Sequence, residues 1–568
     1  MADKFSHIHL HTEYSLLDGL TKIKKLTNRV KEMGMNSVAM TDHGVMYGAV
    51  EFYKQALKDG VKPIVGMEAY TTTIDHTLRP ERSKLETFHL LLLAKDEEGY
   101  KNLMKITSIA HLEGYYYRPR INNEVLAKYS KGIIATSTCP AGELANHLID
   151  GDMEGARKTV KWFKDVFGED YYLEVQRHNY HLHIDPTSPP EIQAEQRKMT
   201  DYERIITAGV VDLSKEFNIP IVATNDAHYL NKEDASAQDV LVCVSTGKQV
   251  SETKRIRFID TPEYYVKSPE EMADLFPDMP EALTNTVEVA DKCNLEITTL
   301  GKWFFPKYEV PNGEPAEDYL RKLAYERLPQ RIQNVDEATK IRLDYELGII
   351  IQKGYAPYFL IVMSMVNWAN SQDIITNTRG SAAGSLVSFV LGITTVDPMK
   401  YYLPFERFLN PFRPTPPDID FDVSDVRRDD IIHYIADTYG HEKVAQICTF
   451  GRMLARASAR DVARVLGYPY ATGDRLSKMI PPPKQGFPID ISKALVANPE
   501  LKAVYDSDRD AKKILDLAKQ VEGSARHISI HAAGVVVAPT DIREFSPVQN
   551  DEPGGSKIVT QYEFHACE

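Results

Sequence analysis

The chain has 568 residues, and 67 Lys plus Arg against 81 Asp plus Glu give a net charge of −14. At about 150 residues per domain, this length predicts roughly four domains, each able to bury a core of its own. An even basic coat for nucleic acid is excluded, although basic patches are not, and 43% hydrophobic with 26% charged residues excludes disorder, collagen and coiled coil.

No stretch approaches the ~18 unbroken apolar residues of a membrane span. The richest runs, Phe359 to Val366 and Leu386 to Ile393, are short, and the start MADKFSHIHLH has no apolar signal core. Five cysteines (Cys139, Cys243, Cys293, Cys448 and Cys567) are scattered and include no CxxC pair. They predict free thiols in a reducing cytoplasm rather than a disulfide framework.

In chain order, Ser37–Thr41, Pro63–Ala69, His89–Leu93, Gly132–Ser137, Tyr171–Val175 and Ile219–Thr224 read as buried strands. Lys22–Met33, Val50–Lys58, Glu98–Ala110, Met153–Phe167 and Asp201–Phe217 read as helices between them. Doubly buried strands separated by helices predict a parallel sheet, with closure into a barrel as one form of it. His181–Pro190 reads as a surface loop, and His178, His181 and His183 beside it read as solvated.

Near Pro280 a second region begins, with helices at Glu281–Cys293, Glu317–Val335 and Glu337–Lys353. The Gly/Ser loop Thr378–Ser385, a Pro-rich approach Asn410–Pro417 and the run Asp418–Asp422 (DIDFD) follow. A third region, Gly451–Glu522, reads as helical and is broken by Pro481–Pro483; strand-like sequence returns at His531–Pro539.

His9 and His11 stand two apart on an expected strand, which puts both rings on one face. Asp18, the Asp42–His43 pair, Glu68, His89, Cys139, Asp226 and His228 recur at later strand ends. Those ends meet at one rim of a parallel sheet or barrel. Each residue alone reads more simply as a cap or a solvated group. Together, imidazole, carboxylate and thiolate suit zinc, manganese or iron rather than calcium. His7 ranks below the others. Clustered metals activate water and clamp a phosphate oxygen, which predicts phosphate-ester hydrolysis.

Asp418, Asp420 and Asp422 alternate with Ile419 and Phe421, so a strand would turn three carboxylates to one side. Such like charges need a cation, and hard oxygen ligands suit magnesium. A calcium loop is excluded, because its sixth position would be Val423 and its twelfth Asp429. Upstream, Arg379–Ser385 (RGSAAGS) lets backbone N–H groups approach a triphosphate; alone it reads as a helix cap. Arg452, Arg456, Arg460 and Arg464 recur every four residues, which reads as a solvated face or as one that tracks phosphates.

The motifs HLHTEYSLLDG, TDHG, VGMEAY, ATNDAHY, TRGSAAGSLVS, FERFLNP, PDIDFD, ICTFG and HAAGVVVAP occur in that order. Through them the chain resembles the bacterial replicative DNA polymerases of the C family, the DNA polymerase III alpha subunits. The resemblance implies a polymerase-and-histidinol-phosphatase domain over 1–280, a distorted (βα)7 barrel. It implies a polymerase-beta-like nucleotidyltransferase palm over 281–450, an inserted helical thumb over 451–526, and a return to the palm over 527–568. It implies Mg2+ on Asp418 and Asp420, triphosphate on Gly380, Ser381 and Arg407, and duplex backbone on the arginine stripe. The nine positions that match the family's first metal site are His9, His11, Asp18, His43, Glu68, His89, Cys139, Asp226 and His228. All are ligand types, which implies up to three Zn2+ or Mn2+ ions and a 3′-to-5′ proofreading exonuclease.

The implied partners are primer–template DNA, deoxynucleoside triphosphates, and a sliding clamp and clamp loader reached through regions beyond this chain. The family's third palm carboxylate follows the segment matching Val559–Tyr562, and the chain ends at Glu568 before it. The expectation is therefore poor primer extension, or none, by this chain alone. Two other readings are a stand-alone phosphoesterase of the histidinol-phosphatase type and a non-catalytic binding module.

Overall fold

A computed structural model describes residues 5–412, 417–483 and 486–567. Residues 413–416 of the Pro-rich approach lie outside the described residues. The chain forms two compact units. The first comprises the residues up to Leu300, Gln446–Gly534 and Arg543–Glu568; the second comprises Gly301–Ala445 and Val535–Ile542.

In the first unit eight strands form one sheet: β1 (Ser37–Met40), β2 (Lys62–Thr71), β3 (Phe88–Ala94), β4 (Tyr115–Tyr116), β5 (Arg118–Ile121), β6 (Ile133–Thr136), β7 (Tyr171–Gln176) and β8 (Ile221–Thr224). The order is β4-β5-β2-β3-β6-β7-β8, with β1 also paired to β2. The sheet curls. His7 bridges to Val38 of β1, and Leu10 bridges to Ala227 just beyond β8.

Alternation along the strands explains the layering. In β3, Leu90 and Leu92 join one apolar cluster while Leu91 and Leu93 join another. The second cluster takes Ile8, Ala39, Ile64, Ile134, Tyr172 and Val222 as well, and Val289 and Ala290 of the helix Pro280–Lys292, with Cys293 just after it, complete it. Two residues further along the same faces stand Thr136, Glu174 and Thr224, all buried. Apolar packing thus gives way to polar groups towards one rim.

Two expectations are corrected. The sheet is not wholly parallel, because β3 runs antiparallel to both β2 and β6. Residues 72–87 carry only the short turn Arg82–Lys84, and without a crossover helix the chain returns as a hairpin. Nor is the His9 segment a regular strand: it makes isolated bridges at His7, Leu10 and Thr12, with a bend at His9. The helix before β8 spans Pro190–Phe217, longer than expected, with Pro190 in its first turn where a missing N–H costs nothing.

The helices Ala455–Val465, Tyr470–Met479, Ile491–Ala497, Pro499–Ser507 and Arg509–Val521 belong to this unit as well. Val462, Leu476, Ile514 and Leu515 share an apolar cluster with Val240 and Leu241 of the helix Ala235–Thr246. Gln446 pairs in parallel with Val559 of the strand Ile558–Glu563, which pairs antiparallel with Val548–Asn550.

The second unit is built on the helices Ala316–Arg331, Glu337–Gln352 and Ala356–Ser371, whose Leu320, Leu343 and Phe359 are fully buried. The last of these helices was not apparent in the sequence. It is apolar on nearly every face, so the 3.6-residue period is masked. Its strands β9 (Thr376–Arg379) and β10 (Asp420–Val423) pair antiparallel, with Asp420 opposite Arg379. No single helix among the described residues is long and apolar enough to cross a membrane. All five cysteines are free.

Candidate metal centre and candidate nucleotide site

The polar rim of the first sheet is where the expected ligands converge. Glu68 lies in the C-terminal half of β2, and Asp226 and His228 follow the end of β8. His89 stands at the start of β3, which meets the same rim because β3 is antiparallel: Tyr70 is opposite His89. Three non-glycine residues take left-handed backbone beside ligands, namely Leu17 before Asp18, Thr138 before Cys139, and Asp226 itself. Such strain collects where surrounding packing holds a functional group in place.

Glu68 is the hub. Its Oε1 lies 3.3 Å from His9 Nε2, and its Oε2 lies 2.7 Å from His43 Nδ1 and 3.0 Å from His89 Nδ1. Cys139 Sγ is 3.4 Å from Glu68 Oε1. Asp226 Oδ1 lies 3.0 Å from His11 Nε2 and 3.3 Å from His9 Nε2. Asp18 Oδ2 lies 2.9 Å from His43 Nε2 and 3.6 Å from His228 Nε2. All nine expected ligands therefore belong to one cluster.

The donor set fits a metal. Three overlapping triads (His11, His43, His228; His9, His11, Glu68; His43, Glu68, His89) have ligand atoms within 4.8 Å of one another. His9 Nε2, His11 Nε2, His43 Nδ1, Glu68 Oε2, Asp226 Oδ1 and His228 Nε2 are buried and crowd against one another without a well-directed hydrogen bond. Six such atoms aimed at one another would be costly without a cation to satisfy them.

Titration follows the crowding. Burial first, then the neighbouring His43 and His228, push the His11 imidazole down to about 3. Burial would raise Glu68, but His89, His43 and His9 hold its carboxyl well below the usual range. Burial, with Glu68 and Asp226 adding to it, pushes the Cys139 thiol well above its ordinary value.

The sequence reading missed Glu174. It accepts from His9 Nδ1 at 2.7 Å and from Gln176 Nε2 at 2.9 Å, and it also bonds the hydroxyls of Thr136 and Thr224. This fixes the His9 tautomer and leaves Nε2 free to ligate. A lone acid in the buried run YYLEV was the available signal. Asp42 turns away from the cluster and accepts from Thr12 N, Thr12 Oγ1 and Ser15 Oγ; Ser15 Oγ lies 3.0 Å from His11 Nδ1. His7 lies outside the cluster, with Nε2 2.9 Å from the Lys267 carbonyl oxygen. His178, expected to be solvated, is buried, bonded to Glu203 and stacked on Tyr264 with ring centroids 3.9 Å apart.

In the second unit, β10 carries Asp420 and Asp422 with Phe421 turned to the apolar cluster. Asp418 and Asp420 are exposed. Asp422 is paired with Arg379 at 2.7 Å. Gly380 follows β9 with φ +81°, and a Cβ there would stand 3.0 Å from Asp420 Oδ2, so the loop backbone and the carboxylate are neighbours. Ser381 and Arg407 are exposed, the latter in the turn Phe405–Arg407. Glu346, buried in the helix Glu337–Gln352, accepts from Ser385 Oγ, Leu386 N and Val387 N and so anchors the end of the Gly/Ser loop.

The arginine stripe is largely engaged inside the first unit. Arg452 pairs with Glu13 at 2.7 Å and bonds the Gly523 carbonyl oxygen. Arg456 makes two bonds to the Ile480 carbonyl oxygen, at 2.9 and 2.6 Å. Arg460 bonds Ser477 Oγ at 3.0 Å, and Arg464 lies 3.9 Å from Asp461.

Residues 7–178 match the family described as PHP domain, and residues 318–568 match the bacterial DNA polymerase III alpha NTPase domain. A DNA polymerase III subunit alpha from Borreliella burgdorferi is 43% identical over 563 residues, 98% of this chain and 47% of that protein. The chain belongs to the bacterial DNA polymerase III alpha family. The subunits from Aquifex aeolicus and Helicobacter pylori are 39% and 41% identical, over 99% and 98% of this chain and 50% and 47% of theirs. The chain thus spans about half the length of these family members.

Proposed function

We propose that this chain is part of a replicative DNA-directed DNA polymerase and carries, in its first region, a metal-dependent 3′-to-5′ exonuclease. Family membership supports the polymerase. The observation that carries the nuclease is the convergence of imidazole, carboxylate and thiolate side chains on Glu68, six of their atoms buried without a well-directed hydrogen bond.

In this reading residues 1–280 form the distorted (βα)7 barrel, supported by the seven segments that each place a side chain in the cluster of Ile8, Ala39 and Ile64. Residues 281–450 and 527–568 form the polymerase-beta-like palm, with the helical run 451–526 as the inserted thumb. Zn2+ or Mn2+, up to three ions, would be held by His9, His11, Asp18, His43, Glu68, His89, Cys139, Asp226 and His228. The bound metal supplies a nucleophilic hydroxide near neutral pH and polarises the phosphate. Glu174 holds the His9 proton on Nδ1. Asp42, acting through Ser15, orients His11. Asp18, His43 and His89 are the part of the cluster open to solvent, so the phosphate enters over them.

In the palm, Asp418 and Asp420 would hold Mg2+, which activates the primer 3′-hydroxyl and stabilises the transferring phosphoryl group. Gly380 and Ser381 would cradle the triphosphate, and Arg407 would pair with its charge. Of the arginine stripe, the exposed Arg460 and Arg464 are assigned to duplex backbone, whereas Arg452 and Arg456 are held by Glu13 and by the Ile480 carbonyl oxygen. Sliding clamp and clamp loader are the proposed protein partners, and the cytoplasm the proposed location.

The test is a time course of 3′-end shortening on a labelled, mismatched primer–template, with zinc or manganese and a chelator control. We expect chelator-sensitive shortening that His9→Ala and Asp226→Ala abolish and Asp420→Ala preserves. Shortening that survives His9→Ala and Asp226→Ala, or no shortening by the metal-bound chain, would overturn the nuclease.

A further inference from the structure

The metal cluster opens into a cavity of about 670 Å³ whose lining includes Asp18, His43, His89 and Cys139 on one side and Tyr117 and Arg118 on another. Arg118 is the one lysine or arginine among the described residues that line it. No carboxylate among the described residues pairs with Arg118. Its guanidinium lies 5.3 Å from the centroid of the Tyr70 ring. That ring in turn stacks on His43, with centroids 6.2 Å apart, and meets His89 edge-on at 5.1 Å. The cation is therefore one aromatic ring away from the ligands.

Tyr117 is the residue before it. Half of its surface is exposed, and φ is +61°, a left-handed backbone that a bulky side chain adopts only when its surroundings impose it. The surroundings are rigid. β4 and β5 form a tight hairpin around Tyr117, with Tyr115 opposite Pro119. Arg120 is fully buried, and its Nη2 donates to the carbonyl oxygens of His76 at 3.0 Å and Leu78 at 2.7 Å. Pro119 packs against Gly44, directly after the ligand His43. Tyr116 and Tyr117 meet edge to face with centroids 4.7 Å apart, the Arg82 guanidinium lies over the Tyr117 ring at 5.1 Å, and Tyr117 lines the cavity.

We propose that the hairpin tip Tyr117–Arg118 is the substrate clamp of the nuclease proposed above, on which this inference rests. Tyr117 stacks on the base of the 3′-terminal nucleotide of a single strand, and Arg118 pairs with the phosphate next to the scissile bond. The chemistry follows from the pair. An aromatic face binds any base, and a guanidinium binds a phosphate bidentately, so the site takes a frayed strand end without reading its sequence. A clamp of this kind selects a nucleotide over a small phosphate ester, which offers Arg118 a charge and Tyr117 nothing.

The experiment uses the full chain. An oligonucleotide ending in 5-iododeoxyuridine, with a phosphorothioate at its last linkage to block cleavage, is irradiated with the protein, and the adduct is mapped by mass spectrometry. We expect the adduct on Tyr117. In parallel, 3′-end shortening and hydrolysis of the non-aromatic ester glycerol 2-phosphate are measured for Tyr117→Ala, Tyr117→Phe and Arg118→Ala. Tyr117→Ala and Arg118→Ala should each raise KM for the oligonucleotide about tenfold or more. Tyr117→Phe should behave as wild type, Arg118→Ala should raise KM for glycerol 2-phosphate as well, and Tyr117→Ala should change glycerol 2-phosphate turnover by no more than about twofold. An adduct elsewhere, with KM unchanged in both alanine variants of a chain that does shorten DNA, overturns the clamp. A wild-type chain that shortens no DNA overturns the nuclease instead.

Discussion

Glu174 accepts a hydrogen bond from Nδ1 of His9 at 2.7 Å, and both side chains are completely buried. The carboxylate thereby sets which nitrogen of His9 faces Glu68 and Asp226. Removing it leaves His9 free to turn or to change tautomer. Partners of this kind change metal affinity by about 10–100-fold. Glu174→Ala should lose metal at a chelator concentration about tenfold or more below that which strips the wild type. Glu174→Gln, which can still accept from Nδ1, should fall between them. The readout is bound metal by elemental analysis after graded chelation, with circular dichroism to check the fold. Equal retention in all three proteins would show that His9 needs no such support.

His111 gives a pH dependence away from the cluster. It is buried, and its Nε2 donates to the Gly44 carbonyl oxygen at 2.9 Å. Burial, partly offset by that bond, pushes its pKa from 6.5 down to about 4. The folded chain therefore binds this proton less readily than the unfolded chain. As the pH falls from 6.5 towards 4, unfolding takes up the proton and the folded state loses stability; above 6.5 the effect vanishes. The thermal unfolding midpoint should fall across this window and fall less steeply in His111→Gln. Parallel pH profiles for the two proteins would mean that His111 does not carry the effect.

Much of the fold could be read from the sequence because its strands are short apolar runs bounded by helices. All six expected strands of the first region are present, with ends shifted by a residue or two. The direction of β3 was not legible, since a run such as His89–Leu93 has no polarity and only the missing crossover helix decides it. The clustering of the nine expected ligands was legible because His, Asp, Glu and Cys recurred at strand ends, which one rim of the sheet brings together. Glu174 was hidden, as its role depends on β7 lying beside β8 and near the His9 segment. The arginine stripe shows the reverse failure. Arg452 ends the strand Val444–Arg452, so only Arg456, Arg460 and Arg464 lie on the helix Ala455–Val465, and a four-residue period does not say whether the segments that follow will cover that face.

That coverage separates the arginines. Arg464 is half exposed, and its nearest acid, Asp461, is 3.9 Å away and already held by Arg526 at 2.6 Å. Arg456 instead spends two donors on the Ile480 carbonyl oxygen. Arg464→Ala should weaken duplex DNA binding and reduce the slope of log affinity against log salt by ~1. Arg456→Ala should lower the unfolding temperature and leave that slope unchanged. Fluorescence anisotropy over a salt series measures both. Equal slopes for wild type and Arg464→Ala would remove Arg464 from the DNA-facing surface.

Gly384 is held between two fixed groups. An added Cβ would stand 2.7 Å from the carbonyl oxygen of Pro404, the residue before the Phe405–Arg407 turn. On the other side Glu346 fixes Ser385, Leu386 and Val387. Glu346 is itself paired with Arg342 at 2.6 Å, and Arg342 donates to the carbonyl oxygens of Gly384 and Leu403. The loop cannot yield towards either side without breaking this network. Overpacking at such a point costs about 1–3 kcal/mol, and the loop from Gly380 onward is the part free to move. Gly384→Ala should therefore weaken binding of a fluorescent deoxynucleoside triphosphate in magnesium by about tenfold, since ~1.4 kcal/mol of misplacement suffices for that factor. Metal content at the Glu68 cluster should not change. Undiminished nucleotide binding by a folded Gly384→Ala protein would mean that this loop does not hold the triphosphate.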